Sequence, residues 1–399
     1  SFGAVGTSTI IGVGTSLDLP QVQLALAEQG VSWEVFIHQI GVWSALQHVL
    51  PGIMVPLLMI AMMTKFFGKN RSFREGLAIW PFAIFAALSF LIPYVLVAVF
   101  LGPEFPSVIG GLAGLAIVIP AARAGFLVPK ERWEFPEPSQ WEKNWMGNIS
   151  VAPASEVQKQ MPLAKAWLPY ALIGLLLVVT RIRTLPVNAW LMSVKAEATQ
   201  VFGSGVNIDF DPLYNPGILP FMIISLVAAW IYGMSRKQVS TAWSEAAQRI
   251  KGPAIALVFA VPMVRLMMQS GNNPVDMAGM PLAMAQFMAG MVQGAWPFVA
   301  PFVGALGSFI AGSNTVSNML FGLFQYSMAE QTGLPALIIV SLQNVGGAIG
   351  NMIAVHNIIA ACATVGLVGV EGILLKRNLI PVLILATIAG IVGLFLSYI

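Results

Sequence analysis

The strongest constraint on this chain is a set of apolar runs of bilayer-crossing length. Residues 76–100, 105–122, 166–179, 217–233 and 379–399 each approach the ~20 residues that traverse a hydrocarbon core. Lipid offers a bare backbone no hydrogen-bond partner. Such segments are therefore restricted to helices, or to broken helices whose freed amides and carbonyls are buried in protein or line a polar cavity. Composition points the same way, with 57% of residues hydrophobic and 9% charged, whereas a soluble domain carries roughly a quarter charged. So few charges cannot coat a water-exposed surface. The single cysteine, Cys362, excludes a disulfide framework and a multi-cysteine metal site. Nothing in the charge pattern points to nucleic acid. No His-x-x-x-His pair, cysteine cluster or Gly-x-Ser-x-Gly elbow argues for an enzyme.

The basic residues alternate between loops. Lys65, Lys69, Arg71 and Arg74 follow the apolar segment 40–63, the next loop carries Glu104 and no basic residue, and Arg123, Lys130 and Arg132 follow the next crossing. That alternation is the positive-inside pattern of a multi-pass protein. The polar stretch 126–164, with Trp133, Trp141 and Trp145 and Trp167 just beyond, reads as a cytoplasmic linker with interfacial aromatics. It divides a first membrane region, 1–125, from a second, 165–399. Asn148-Ile149-Ser150 matches a glycosylation acceptor but falls in this cytoplasmic stretch and is given no weight. Residues 183–216, with Asp209 and Asp211, form an expected extracytoplasmic loop. Arg236, Lys237, Arg249 and Lys251 flank 239–250, an expected helix on the cytoplasmic side. The opening residues, Ser1 to Thr7, are neither an initiator Met nor a signal peptide, so membrane segments are expected to precede them in a longer protein.

Between Arg265 and Lys376 there is no Lys or Arg, and the stretch is too rich in Gly, Pro, Ser and Asn for ordinary crossings, above all at 304–318. Helices interrupted at membrane depth are how carriers build sites, since a half-helix N-terminus directs partial positive charge at an anion while freed carbonyls hold cations. The start of the chain reads as a second copy. Ser1-Phe2-Gly3-Ala4-Val5-Gly6-Thr7-Ser8-Thr9 is similar to Ser308-Phe309-Ile310-Ala311-Gly312-Ser313-Asn314-Thr315, and each is followed downstream by Ala-Glu-Gln, at 27–29 and 329–331. Two matches in order, each beside a break, predict duplicated halves.

Five motifs in order carry a resemblance: Ser1-Phe-Gly-Ala-Val-Gly-Thr7, Phe100-Leu-Gly-Pro-Glu-Phe-Pro-Ser107, Ala311-Gly-Ser-Asn-Thr-Val-Ser-Asn318, Gly350-Asn-Met-Ile-Ala-Val-His-Asn357 and Ala363-Thr-Val-Gly-Leu-Val-Gly369. Across essentially its whole length the chain resembles the bacterial L-lactate permease family, including its glycolate permeases. The resemblance implies uptake of L-lactate and related 2-hydroxymonocarboxylates, glycolate and D-lactate among them, across the bacterial inner membrane in symport with a proton. No cofactor beyond the coupling ion is implied. Ser313-Asn314-Thr315 is also similar to the signature of sodium-coupled dicarboxylate carriers. By that analogy the expected fold is an all-α polytopic membrane protein with inverted repeats and re-entrant hairpins or discontinuous helices. A sodium-coupled carboxylate carrier is the alternative function, since the same oxygens could hold sodium; an anion channel fits duplicated broken helices less well. Oligomeric state is not legible.

The expected substrate site lies between two tips, Gly6, Thr7, Ser8 and Thr9 in one copy and Ser313, Asn314, Thr315, Ser317 and Asn318 in the other, with backbone amides donating to the carboxylate. Gln343, Asn344, Asn351 and Asn357 are candidates for the substrate hydroxyl. Arg265, within apolar 258–268, is either a counter-charge for the anion or a structural partner of Asp276. Proton coupling calls for a group that titrates near neutrality, and the histidine side chain does so at ~6.5. His356, close after the second tip, and His48, deep in 40–63, are the candidates, while His38 sits nearer a segment boundary. Glu28 and Glu330, one per copy, are the carboxylate alternatives.

Overall fold

The computed structural model describes residues 5–130, 133–142, 145, 161–181, 185–198, 208–210, 212–214, 219–271, 273, 275, 277–364, 367 and 369–399. Among them the chain is helical apart from one short antiparallel ladder, β1 (Ala196–Ala198) with β2 (Ile208–Phe210), in register Ala196 to Phe210. Among the described residues seven helices are long and apolar enough to cross a membrane, and an eighth span is formed if a pair bent by 98° counts as one.

The helices are α1 (Ser8–Leu17), α2 (Pro20–Glu28), α3 (Trp33–Gln47), α4 (Val49–Phe67), α5 (Phe73–Leu77), α6 (Trp80–Leu101) and α7 (Pro106–Arg123). After the linker come α8 (Leu163–Arg181), α9 (Pro186–Ser193), α10 (Leu219–Ile231) and α11 (Arg236–Gln269). The last group is α12 (Met280–Val292), α13 (Trp296–Ala311), α14 (Asn314–Thr332), α15 (Ala336–Gly350), α16 (Val355–Thr364) and α17 (Glu371–Ser397).

Prolines and glycines set most of the boundaries. α6, α7 and α13 each carry Pro in the first turn, where the missing N–H is no loss. α6 stops at Gly102, whose φ of 93° only glycine adopts without strain. The run expected at 40–63 is divided between α3 and α4 at His48, because Pro51 has no N–H to return to Gln47. The expected cytoplasmic helix 239–250 does not end before 253–268 but runs through it in α11. The first discontinuity also differs from expectation. Thr7, Ser8 and Thr9 are helical, with a π-helical turn over Ser8–Val13, and the break falls at Asp18 and Leu19. Leu19 precedes Pro20 and is extended, at φ −127° and ψ 142°, as a pre-proline residue prefers.

The chain forms two compact units. One comprises Ser150–Val258, where α8 packs on α9 and α10, and Asn188 Nδ2 donates to the Thr180 carbonyl at 3.0 Å. The other comprises Ser1–Ile149 with Phe259–Ile399 and holds the candidate site. Its centre is α15. Its span is 89% buried, against 22% for α4 and 39% for α17, which makes α15 the axis that the other helices cover. α13, α14, α3 and α17 all pack on it. Backbones touch at the crossing of α13 and α15: a Cβ on Gly346 would lie 2.1 Å from the Pro301 carbonyl oxygen, and one on Gly304 2.3 Å from that of Gln343. Between helices in lipid there is little hydrophobic gain, so close packing of small residues carries the association.

The two Ala-Glu-Gln stretches stand in similar local settings. α2 ends in the first Ala-Glu-Gln and α14 in the second. Each is followed by a left-handed glycine, Gly30 at φ 71° and Gly333 at φ 66°, and then by a 15-residue helix, α3 or α15. α1 packs on α14, and α3 packs on α15. Val13, Leu17, Val22, Leu26, Phe36, Ile40, Leu323, Tyr326 and Val340 form one core across them.

Candidate functional site

The second tip is built by two residues. Gly312, at φ 73°, ends α13 in the left-handed conformation, and Ser313, extended, starts α14 with its hydroxyl accepting from Val316 N–H at 3.5 Å. The C-terminal, partially negative end of α13 and the N-terminal, partially positive end of α14 therefore converge on one turn. Against it, α1 makes a close approach through Gly12, where a Cβ would lie 2.8 Å from the Thr315 carbonyl oxygen and 2.9 Å from the Asn318 Cβ. That contact brings Ser8 and Thr9 of the first copy to Asn314 and Asn318 of the second.

Asn344 on α15 ties them together. Its Oδ1 accepts from Asn314 Nδ2 at 3.0 Å and Asn318 Nδ2 at 2.9 Å, and its Nδ2 donates to Thr9 Oγ1 at 2.9 Å and Ser44 Oγ at 3.0 Å. All four hydrogen-bonding positions of the amide are used by protein, and the two donors facing Oδ1 fix its orientation. Asn318 Nδ2 also donates to the Ser8 carbonyl at 3.0 Å. The neighbouring Gln343 starts a second chain. Its Nε2 donates to Ser317 Oγ at 3.0 Å and its Oε1 accepts from Gln325 Nε2 at 2.9 Å. Gln325 Oε1 in turn accepts from Trp296 Nε1 at 2.8 Å, and Ser317 Oγ donates to the Gly304 carbonyl at 2.8 Å. Every side chain in these two chains is buried, and none is charged.

Of the residues expected at the site, Ser8, Thr9, Asn314, Ser317, Asn318, Gln343 and Asn344 thus come together. Gly6, Ser313 and Thr315 are partly exposed and Thr7 exposed, at the margin of the cluster. Asn351 and Asn357 pair with each other instead, Asn357 Nδ2 donating to the Asn351 carbonyl at 3.2 Å. Arg265 lies on α11, but its side chain, Asp276, Asp211 and the Asn148-Ile149-Ser150 tripeptide fall outside the described residues. Among the histidines, His48 is buried with Nδ1 3.0 Å from the Tyr94 hydroxyl. It follows Ser44 by one helical turn, its N–H donating to the Ser44 carbonyl at 3.0 Å. His356 is exposed, and its ring backs the tip: a Cβ on Gly312 would lie 2.6 Å from its Nδ1. His38 Nε2 lies 3.2 Å from the Val99 carbonyl.

Sequence reasoning passed over Ser44, Gln325, Trp296 and Ser308. The signal for Gln325 was present, as an amide in an otherwise apolar helix segment needs a buried partner. Ser44 gave none, since a lone serine satisfies itself within any helix. Among the described residues no group of three His, Cys, Asp or Glu is placed to hold a metal.

Comparison with known proteins places the chain among transporter sequences. The chain is 32% identical to a putative L-lactate permease of Haemophilus influenzae over 99% of its own length and 70% of that protein's. It is 28% identical to an L-lactate permease of Bacillus subtilis, covering 81% of this chain and 59% of that one, and 25% identical to the glycolate permease GlcA of Escherichia coli, covering 90% and 65%. The chain thus spans between 59% and 70% of these relatives. The crystal structure of the Alcanivorax borkumensis YdaH transporter aligns over 98% of this chain and 85% of its own at 16% identity with a TM-score of 0.34, a likeness too loose to carry an argument. The model of the L-lactate permease family matches residues 1–399, and with that match over the whole length the chain belongs to the L-lactate permease family.

Proposed function

We propose that the full-length protein imports L-lactate and related 2-hydroxymonocarboxylates such as glycolate across the bacterial inner membrane, by alternating access and in symport with a proton. Membership of a family whose relatives are named L-lactate and glycolate permeases supports the substrate class. The observation that carries a carrier reading is the uncharged cluster around Asn344, where helices of both copies meet beside a helix broken at Gly312. In this reading the first-turn amides of α14 and the hydroxyls of Ser313 and Thr315 receive the carboxylate, with Thr7 at the entrance. Asn344 and Gln343, saturated by protein, position that turn rather than touch the substrate. His356, exposed behind the tip, takes the proton, and His48, one turn from Ser44, is its buried counterpart.

The test is uptake of labelled L-lactate by liposomes holding the complete protein, with an acid-outside gradient and, separately, an inward sodium gradient. Uptake driven by the proton gradient and blocked by glycolate supports the proposal. Sodium-driven uptake blocked by succinate would replace it with a dicarboxylate-type carrier.

A further inference from the structure

Where α17 packs on α4, the protein leaves a cationic side chain without an anion. Phe67 at the end of α4, Trp145 of the linker, and Val370, Ile373, Leu374 and Arg377 around the start of α17 line one open cleft. The Arg377 guanidinium lies over the Phe66 ring at 4.4 Å and the Phe67 ring at 5.4 Å, and Trp145 meets Phe67 edge-on at 5.1 Å. Aromatic faces hold a guanidinium in place without using its N–H donors. Among the described residues Arg377 has no hydrogen bond and no ion pair. Glu142 of the linker pairs with Arg71 instead, Glu75 of α5 accepts from Asn70 Nδ2 at 2.6 Å and Trp133 Nε1 at 3.3 Å, and Glu371 of α17 accepts from the Gly369 N–H at 3.2 Å. Trp145 Nε1 also lacks an acceptor there. Two residues lining one cleft thus carry donors that the described protein does not satisfy.

The walls decide which anion fits. A small hydrated anion gains nothing from Val370, Leu374 and Ile373, the last 39% exposed. A phospholipid matches both halves of the cleft, since its phosphodiester is a fixed anion and its chains are apolar. Lys65 and Lys69 flank the two phenylalanines in sequence and Lys376 precedes Arg377. A zwitterionic headgroup would bring its own ammonium toward these like charges, whereas a net-anionic one meets only opposite charge. The Lys and Arg residues after α4 mark this end as cytoplasmic, the side on which basic pockets between membrane helices take anionic headgroups.

We infer that this cleft is a binding site for an anionic phospholipid, with the phosphodiester on Arg377 and the acyl chains along Val370, Ile373 and Leu374. Trp145 forms one wall, so occupancy ties the linker to α4 and α17. The inference does not depend on which substrate the protein carries.

The purified full-length protein, stripped of lipid in detergent, is melted while phosphatidylglycerol is titrated into the micelles. Phosphatidylcholine with the same chains and soluble glycerol phosphate are run as parallel series. The expected result is a saturable rise of the melting temperature with phosphatidylglycerol alone. Arg377→Ala is expected to raise the half-saturating concentration about tenfold, and Lys69→Ala, an exposed cation outside the cleft lining, to leave it unchanged. An equal rise with phosphatidylcholine or with glycerol phosphate would overturn the site, as would no rise at all or equal weakening by the two variants, which means diffuse attraction. Should Arg377→Ala fail to fold, photoreactive phosphatidylglycerol is cross-linked to the parent protein. Labelling concentrated at Ile373 and Leu374 sustains the site, and labelling spread evenly over the apolar faces overturns it.

Discussion

Replacing Asn344 by alanine deletes four hydrogen bonds that join α1, α3 and α14 to α15. Interhelical bonds inside membrane proteins average about 0.6 kcal/mol and reach ~1.7, because the membrane-inserted unfolded chain also finds partners. Stranding a buried polar group costs about 1–3 kcal/mol. Asn344 is fully buried and its partners Thr9 and Ser44 are too, so the loss lies above the first scale, at about 2–4 kcal/mol in all. Ser44→Ala removes one of the four bonds and costs about 0.5–1 kcal/mol. The double variant is then less destabilised than the two singles combined, by about the value of the shared bond. The assay is reversible unfolding of the full-length protein in mixed micelles titrated with a denaturing detergent, following tryptophan fluorescence. A cost for Asn344→Ala under about 1 kcal/mol, or strict additivity with Ser44→Ala, would refute the reading of Asn344 as the clamp.

The same titration tests the close crossing of α13 and α15. Gly346→Ala places a methyl 2.1 Å from the Pro301 carbonyl oxygen and is expected to cost about 1–3 kcal/mol as an overpacked contact; a neutral result would mean the helices stand further apart. Gly312→Ala must hold a side chain at φ 73° and displace the His356 ring, an expected loss of about 1 kcal/mol or more from the backbone alone. Part of that loss returns in a His356→Ala background, and an unchanged cost there would show that the ring does not press on the tip. His356→Gln is expected to lower proton-driven L-lactate uptake at least tenfold while exchange of lactate for lactate persists, and full proton-driven uptake in that variant would remove His356 from coupling.

Much of the membrane architecture could be read from residues alone. The runs 76–100 and 105–122 differ from α6 and α7 by only a few positions, because Pro81, Gly102 and Pro106 mark their ends. The run 40–63 misled because hydrophobicity is blind to the backbone donor that Pro51 lacks. The first break was expected among the small residues near Thr7, but small residues there serve contact with α14. Leu19-Pro20, a stronger backbone signal, makes the turn. At the site, the residue types were recognisable and their duties were not. Asn344 and Gln343 looked like groups free to meet a substrate, whereas tertiary partners on other helices use them up, two partners of Asn344, Thr9 and Ser44, lying hundreds of residues away in sequence. Asn351 and Asn357 looked equivalent to them and are turned toward one another.

The burial of α15 also bears on how the chain is made. A helix that is covered on every side in the finished protein carries two amides, Gln343 and Asn344, that lipid cannot satisfy when it leaves the ribosome. Its partners α1, α3, α13 and α14 all lie earlier in the chain. Synthesis proceeds from the N-terminus, so each of them is already in place when α15 emerges. Only α17 comes later, and it closes over α13 and α15 as the last wall. The order of the helices along the gene thus delivers the most buried span into a berth that its neighbours have already built.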